Sequence, residues 1–84
     1  MRTLKENHVL LLSVLESAGA MGISIDDLIA RIAQLDRDIT RDTLRSNLRQ
    51  LLEYGFVETV ADAPPRVYIT TTGKTALKNW RTKR

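Results

Sequence analysis

Gly55 separates two incompatible hydrophobic periods, and that boundary constrains the fold more than any other feature of the chain. On its N-terminal side Leu44, Leu48, Leu51 and Leu52 recur at i, i+4, i+7 and i+8, the spacing of an amphipathic helix. Thr40 precedes the run as an N-cap, and Asp42 lies in the first turn, where the helix dipole favours a carboxylate. A helix over 41–54, ended by Gly55, is predicted. On the other side Phe56–Val60 and Arg66–Thr70 are rich in β-branched and aromatic residues, which predicts two strands. The intervening Ala61-Asp62-Ala63-Pro64-Pro65 is a turn, because neither strand tolerates proline inside it. The result is a hairpin over 56–70 with a stiff tip. Two strands alone are marginal, so this hairpin must lean on helices.

Three further helices supply that support. Thr3 and Glu6 have capping-box spacing, and Leu4, His8, Leu11, Leu12, Leu15 and Ala18 form one stripe, predicting a helix over 4–18. Gly19 and Gly22 stop it, with Ala20-Met21 as a connector. Ser24 is the next N-cap, Asp26 and Asp27 follow in the first turn, and Ile25, Leu28, Ile29, Ile32 and Leu35 make an apolar face over 25–34. The stretch 35–39 reads as a turn. Thr70 or Thr71 caps a last helix over 71–81, with Ala76, Leu77 and Trp80 inward and a basic, frayed end at 81–84. The order is helix, helix, helix, hairpin, helix. Three helices, a two-stranded antiparallel wing and a C-terminal helix make a mainly α winged helix, with residues 1–84 as a single domain.

At 84 residues the chain builds one modest core and has little room for a second layer around a deep active site. A 43% hydrophobic and 27% charged composition is that of a folded protein. No apolar run approaches the roughly 18 residues of a membrane span, and no secretory leader is recognisable, so the expected location is cytoplasmic and nucleoid-associated. The absence of cysteine excludes disulfides and thiolate metal sites, and His8 is the one histidine. Metal-ligand spacing, a glycine-rich phosphate loop and a carboxylate pair in a cleft are all missing from the sequence. Neither enzymatic activity nor a metal or other cofactor is expected. Charge is distributed unevenly. Residues 1–39 hold four basic and six acidic side chains, net −2, whereas residues 40–84 hold nine and four, net +5. A basic half suggests a polyanionic partner, and nucleic acid is the common one, which the resemblance below narrows to double-stranded DNA.

The stretch Thr40–Val57 looks like a winged-helix recognition helix running into its first wing strand. Tyr68-Ile69-Thr70, followed by Gly73 and by Ala76-Leu77, is similar to the second wing strand and following helix of MarR-like regulators. The resemblance covers residues 4–80. It implies a DNA-binding transcriptional regulator. It also implies that this chain is without the terminal helices from which that family builds its dimer and small-molecule pocket, so no small-molecule effector is expected.

An α-helix fits the major groove, where arginine bonds bidentately to guanine and glutamine to adenine. Arg45, Ser46 and Arg49 are the candidates for base edges, with Gln50 next. Thr40 and Arg41 at the helix start suit phosphate, and Thr43 lies on the flank. Arg66, beside the prolines, is the candidate for a wing contact to the minor groove or backbone. Asp42 and Glu53 share the outer face of that helix and oppose the attraction. Lys74, Lys78, Arg81, Lys83 and Arg84 form an acid-free end. His8 reads as a packing residue. Val9 and Leu10 fall off the first helix's stripe and, with Trp80, suggest a homodimer surface. Such a dimer would read half-sites about 34–36 Å apart or a multiple of that. The alternatives are a protein-interaction winged-helix subunit or adaptor, or a plasmid or phage replication or partition factor.

Overall fold

Four helices begin and end where the chain offers local partners for their unpaired backbone groups. A computed structural model describes residues 4–36 and 38–83, with the order α1 (Glu6–Ala18), β1 (Ile23–Ser24), α2 (Ile25–Leu35), α3 (Arg41–Tyr54), β2 (Val57–Val60), β3 (Arg66–Ile69) and α4 (Thr71–Thr82). Ser24, Thr40 and Thr70 are N-caps, their hydroxyl oxygens accepting from the N–H groups of Asp27, Thr43 and Gly73 at 3.1, 3.2 and 3.0 Å. The start of α1 differs from the expected one. Its N-cap is Lys5, whose N–H donates to His8 Nδ1 at 3.1 Å. Thr3 lies outside the described residues, as do Arg37 and Arg84.

At the end of α3, Gly55 adopts φ +78° and its N–H donates to Leu52 O, while the Phe56 N–H donates to Leu51 O. This is a Schellman turn, and the buried Leu51 and Phe56 supply its usual apolar contact. The left-handed conformation is what makes a glycine necessary here. The turn delivers the chain directly into β2. At the same end of the sheet, where β3 finishes, the Thr70 N–H donates to Phe56 O at 3.0 Å, and Thr70 Oγ1 donates to Gly55 O at 2.7 Å. The first turn of α4 then packs so closely that a Cβ on Gly73 would collide with the Phe56 carbonyl oxygen.

The sheet has three strands rather than two, in the order β1-β3-β2 and antiparallel throughout. Glu58 faces Tyr68 and Thr59 faces Val67 across the hairpin, and Ile23 pairs with Val67 on the other side of β3. β1 escapes a sequence pattern because it is two residues long and its second residue is also the cap of α2. It covers the outer edge of β3, which removes one exposed ladder.

The core joins Leu11, Leu12 and Leu15 of α1 to Leu28 and Ile32 of α2, Leu44 and Leu51 of α3, Val57 and Val67 of the sheet, and Leu77 of α4. α1 packs against α2, α3, α4 and β3, so it is the central element. That position corrects one expectation. Val9 is 9% exposed and belongs to the core, while Leu10 and Trp80 are half-buried against it. A helical wheel assigns one buried stripe, whereas a helix surrounded on several sides buries more than one. The outward surface expected from Val9, Leu10 and Trp80 together does not form. At the far end of α4, Arg81 pairs with Glu16 at 3.1 Å and donates to Ser13 Oγ at 3.3 Å, tying the helix back to α1.

This arrangement is a winged helix. The core holds a polar discord: Asn47 is buried on α3 and its Nδ2 has no hydrogen-bond partner among the described residues. A buried donor without an acceptor costs about 1–3 kcal/mol. Asn47→Leu is therefore expected to raise stability by about 1 kcal/mol, read as a higher urea midpoint at unchanged slope.

Candidate nucleic-acid interface

The faces of α3 are set by its buried residues. Leu44, Asn47, Leu48 and Leu51 turn inward, so Asp42, Ser46 and Glu53 lie opposite them and are exposed. Arg41, Arg45 and Arg49 recur every four residues and form one exposed row, each step rising about 6 Å along the helix. None of the three has a hydrogen-bond or ion-pair partner among the described residues. Thr40 and Thr43, also exposed, are joined through their hydroxyls at 2.9 Å as part of the N-cap.

The opposite flank of α3 is committed to the fold. Gln50 is half-buried, and its Oε1 lies 2.7 Å from His8 Nε2. Because His8 Nδ1 accepts from the Lys5 N–H, Nε2 carries the proton and donates to Gln50. The His8 ring, 1% exposed, meets Tyr54 edge-on at 6.0 Å, and Tyr54 meets Phe56 in the same way at 5.7 Å. Gln50 is thus taken from the expected base-reading set by a buried histidine. Its place on the flank was legible from helical spacing, but its partner 42 positions earlier was not.

Arg66 also differs from expectation. It stands at the start of β3, and Asp62 approaches across the tip turn to 2.6 Å from Nη2 and 2.9 Å from Nε. Its Nη1 donates to the Met21 carbonyl oxygen at 3.0 Å. A guanidinium held at three points braces the hairpin against the loop before β1 instead of projecting from it. The tip itself folds inward, with the Ile25 N–H donating to Pro65 O at 3.4 Å.

Between that tip and α3 lies an open groove of about 390 Å³. Arg45, Leu48, Arg49 and Leu52 form one wall, and Ile25, Asp26, Pro64 and Pro65 the other. Leu52 is 38% exposed and belongs to this wall rather than to the core. The spacing of Leu52 with Leu44 and Leu48 had placed it on the buried face. The wing tip's inward fold is what gives the groove its second wall.

Away from α3, Lys74 lines a separate depression with Glu16, Glu58 and Tyr68. There the Tyr68 hydroxyl donates to Glu58 Oε2 at 2.5 Å. That hydrogen bond, with smaller contributions from desolvation and from the carboxylate's charge, raises the Tyr68 phenol above its ordinary value of 10.0. No group of three His, Cys, Asp or Glu side chains among the described residues is placed to hold a metal ion. Among them, too, no helix is long and apolar enough to cross a membrane.

No family model matches the sequence, and no curated protein is similar to it. Among solved structures, SSV1 F-93 is similar, with a TM-score of 0.78, 20% identity, and coverage of 98% of this chain and 89% of that one. At this identity the likeness establishes the winged-helix fold.

Two measurements check the flanks. Gln50→Leu strands the buried His8 Nε2–H and is expected to cost about 1–3 kcal/mol of unfolding free energy, measured by urea denaturation. Absorbance at 295 nm should show Tyr68 ionising above pH 10.0, with Glu58→Gln lowering that midpoint. Since the phenol is raised in the folded state, its contribution to stability is full below the unfolded value and is lost as pH climbs through the folded one.

Proposed function

We propose that this protein is a sequence-specific double-stranded DNA-binding protein, a small transcriptional regulator that places α3 in the major groove. The observation that carries the proposal is the row of three exposed arginines on that helix, none with a partner among the described residues. Arg45 and Arg49, with Ser46 beside them, are assigned to base edges, and Arg41 with the Thr40–Thr43 cap to phosphate. Thr43 serves through the cap it shares with Thr40. Gln50 and Arg66 are left out, because His8 and Asp62 engage them. Asp42 and Glu53 limit non-specific attraction on the same helix, which shifts the balance toward shape and base contact.

Homodimerisation belongs to this proposal as well. Of the three residues first expected at its surface, Leu10 remains open, lining a shallow groove between α1 and α2 with Val14 and the 66%-exposed Leu35. A second copy seated there would pair two α3 helices on a pseudo-palindromic site.

Selection of bound duplexes from a random pool, followed by titration of the winning site against a scrambled one, tests the whole reading. Arg45→Ala and Arg49→Ala are each expected to reduce that discrimination by about 1–3 kcal/mol. Arg41→Ala should weaken both duplexes alike and lower the log–log salt slope by about one. Arg66→Ala is expected to lower thermal stability with discrimination retained. Full discrimination in the Arg45/Arg49 double variant would remove α3 from the interface, and palindromy in the selected site reports the dimer.

A further inference from the structure

The groove between the wing tip and α3 is a ligand site in its own right, and we infer that it takes a small amphipathic anion, an apolar body carrying one carboxylate or sulfonate. Its volume of about 390 Å³ falls in the range of small-molecule pockets. Ile25, Leu48, Leu52, Pro64 and Pro65 supply aliphatic surface on both walls, with no aromatic side chain among the lining residues. Arg45 and Arg49 stand at the edge of that surface, and neither guanidinium has a partner among the described residues. Asp26 is the one carboxylate in the lining.

This combination is selective for chemistry. An apolar ligand without charge gains the aliphatic walls but leaves both guanidiniums unused. A bare inorganic anion gains the guanidiniums but leaves the walls wet. A ligand with both parts satisfies both, and charge-assisted bonds to arginine are the stronger hydrogen bonds available to a protein surface. Asp26 disfavours a second negative charge, so a monoanion fits better than a dianion. The walls are held independently of any ligand: Pro65 O accepts from Ile25 N–H, and Arg66 braces the hairpin behind the tip.

The consequence for DNA rests on the function proposed above. Arg45 and Arg49 cannot hold a carboxylate and a base edge together, so the anion and the duplex compete. The protein would then respond to a small amphipathic anion through the same two side chains that read its operator.

Octanoate and its uncharged match octan-1-ol, titrated into the full ¹⁵N-labelled chain, test the site. Saturable octanoate shifts are expected at Ile25, Leu48 and Leu52, with octan-1-ol about tenfold weaker. Arg45→Ala/Arg49→Ala should lose about tenfold for octanoate and nothing for octan-1-ol, and Leu52→Glu should abolish binding of octanoate. Unsaturable shifts, shifts centred elsewhere, equal affinity for the alcohol, or an unaltered double variant would each overturn the site. In the same samples octanoate should release the selected duplex. Failure of the chain to bind any duplex, with octanoate still seated in the groove, overturns the DNA reading and leaves the site. A filled groove that does not release the duplex overturns the competition.

Discussion

The turn at Gly55 and Phe56 is the junction on which the remaining geometry depends. The left-handed glycine lets the Phe56 N–H return to Leu51 O, which ends α3 and aims β2. The carbonyls of the same two residues then receive the Thr70 hydroxyl and N–H, which fixes where β3 ends and α4 begins. Four elements are therefore positioned by two peptide units. The near contact between Gly73 and Phe56 leaves α4 no freedom to slide away from this junction. Because backbone groups and one threonine hydroxyl do the joining, the geometry does not depend on which polar side chains occupy the exposed face of α3.

That insensitivity explains how α3 serves two purposes. Its flank toward α1 is occupied by the Gln50–His8 hydrogen bond and the edge-on ring contacts of Tyr54, which set the helix's rotation about its own axis. With the rotation set, the arginine row on the other flank is left to solvent, facing a wing tip that has folded inward. The tip carries its own neutralised ion pair, Asp62 with Arg66, and presents prolines rather than cations. In this protein the wing is a wall beside α3, and the three arginines without a partner among the described residues lie along that helix.

Much of the architecture was legible in the sequence because it is written in local spacing. Three of the four caps were identifiable as hydroxyl residues before apolar runs, and the change of period at Gly55 located the helix–hairpin boundary to within a residue or two. The cap of α1 was not legible, since a histidine three residues in replaces the expected acceptor. β1 was missed because two residues carry no period. Val9 was misplaced because a wheel describes one neighbouring surface, while α1 has several. At the candidate site three arginines were identifiable on the helix and Arg66 on the wing, but nothing in their order along the chain showed that Arg66 is held by Asp62 and Met21.

What separates those arginines is distance through space. The sequence by itself determined the type and order of the four helices and the hairpin, the exposed face of α3 and the concentration of positive charge in the C-terminal half. These follow from contacts within a few residues, where covalent geometry dictates who meets whom. Only the tertiary structure decided that Gln50 belongs to His8, that Arg66 belongs to Asp62 and Met21, and that Leu52 faces a groove instead of the core. Those outcomes depend on how rigid elements meet across the core, and side-chain partners there are chosen by packing rather than by position along the chain.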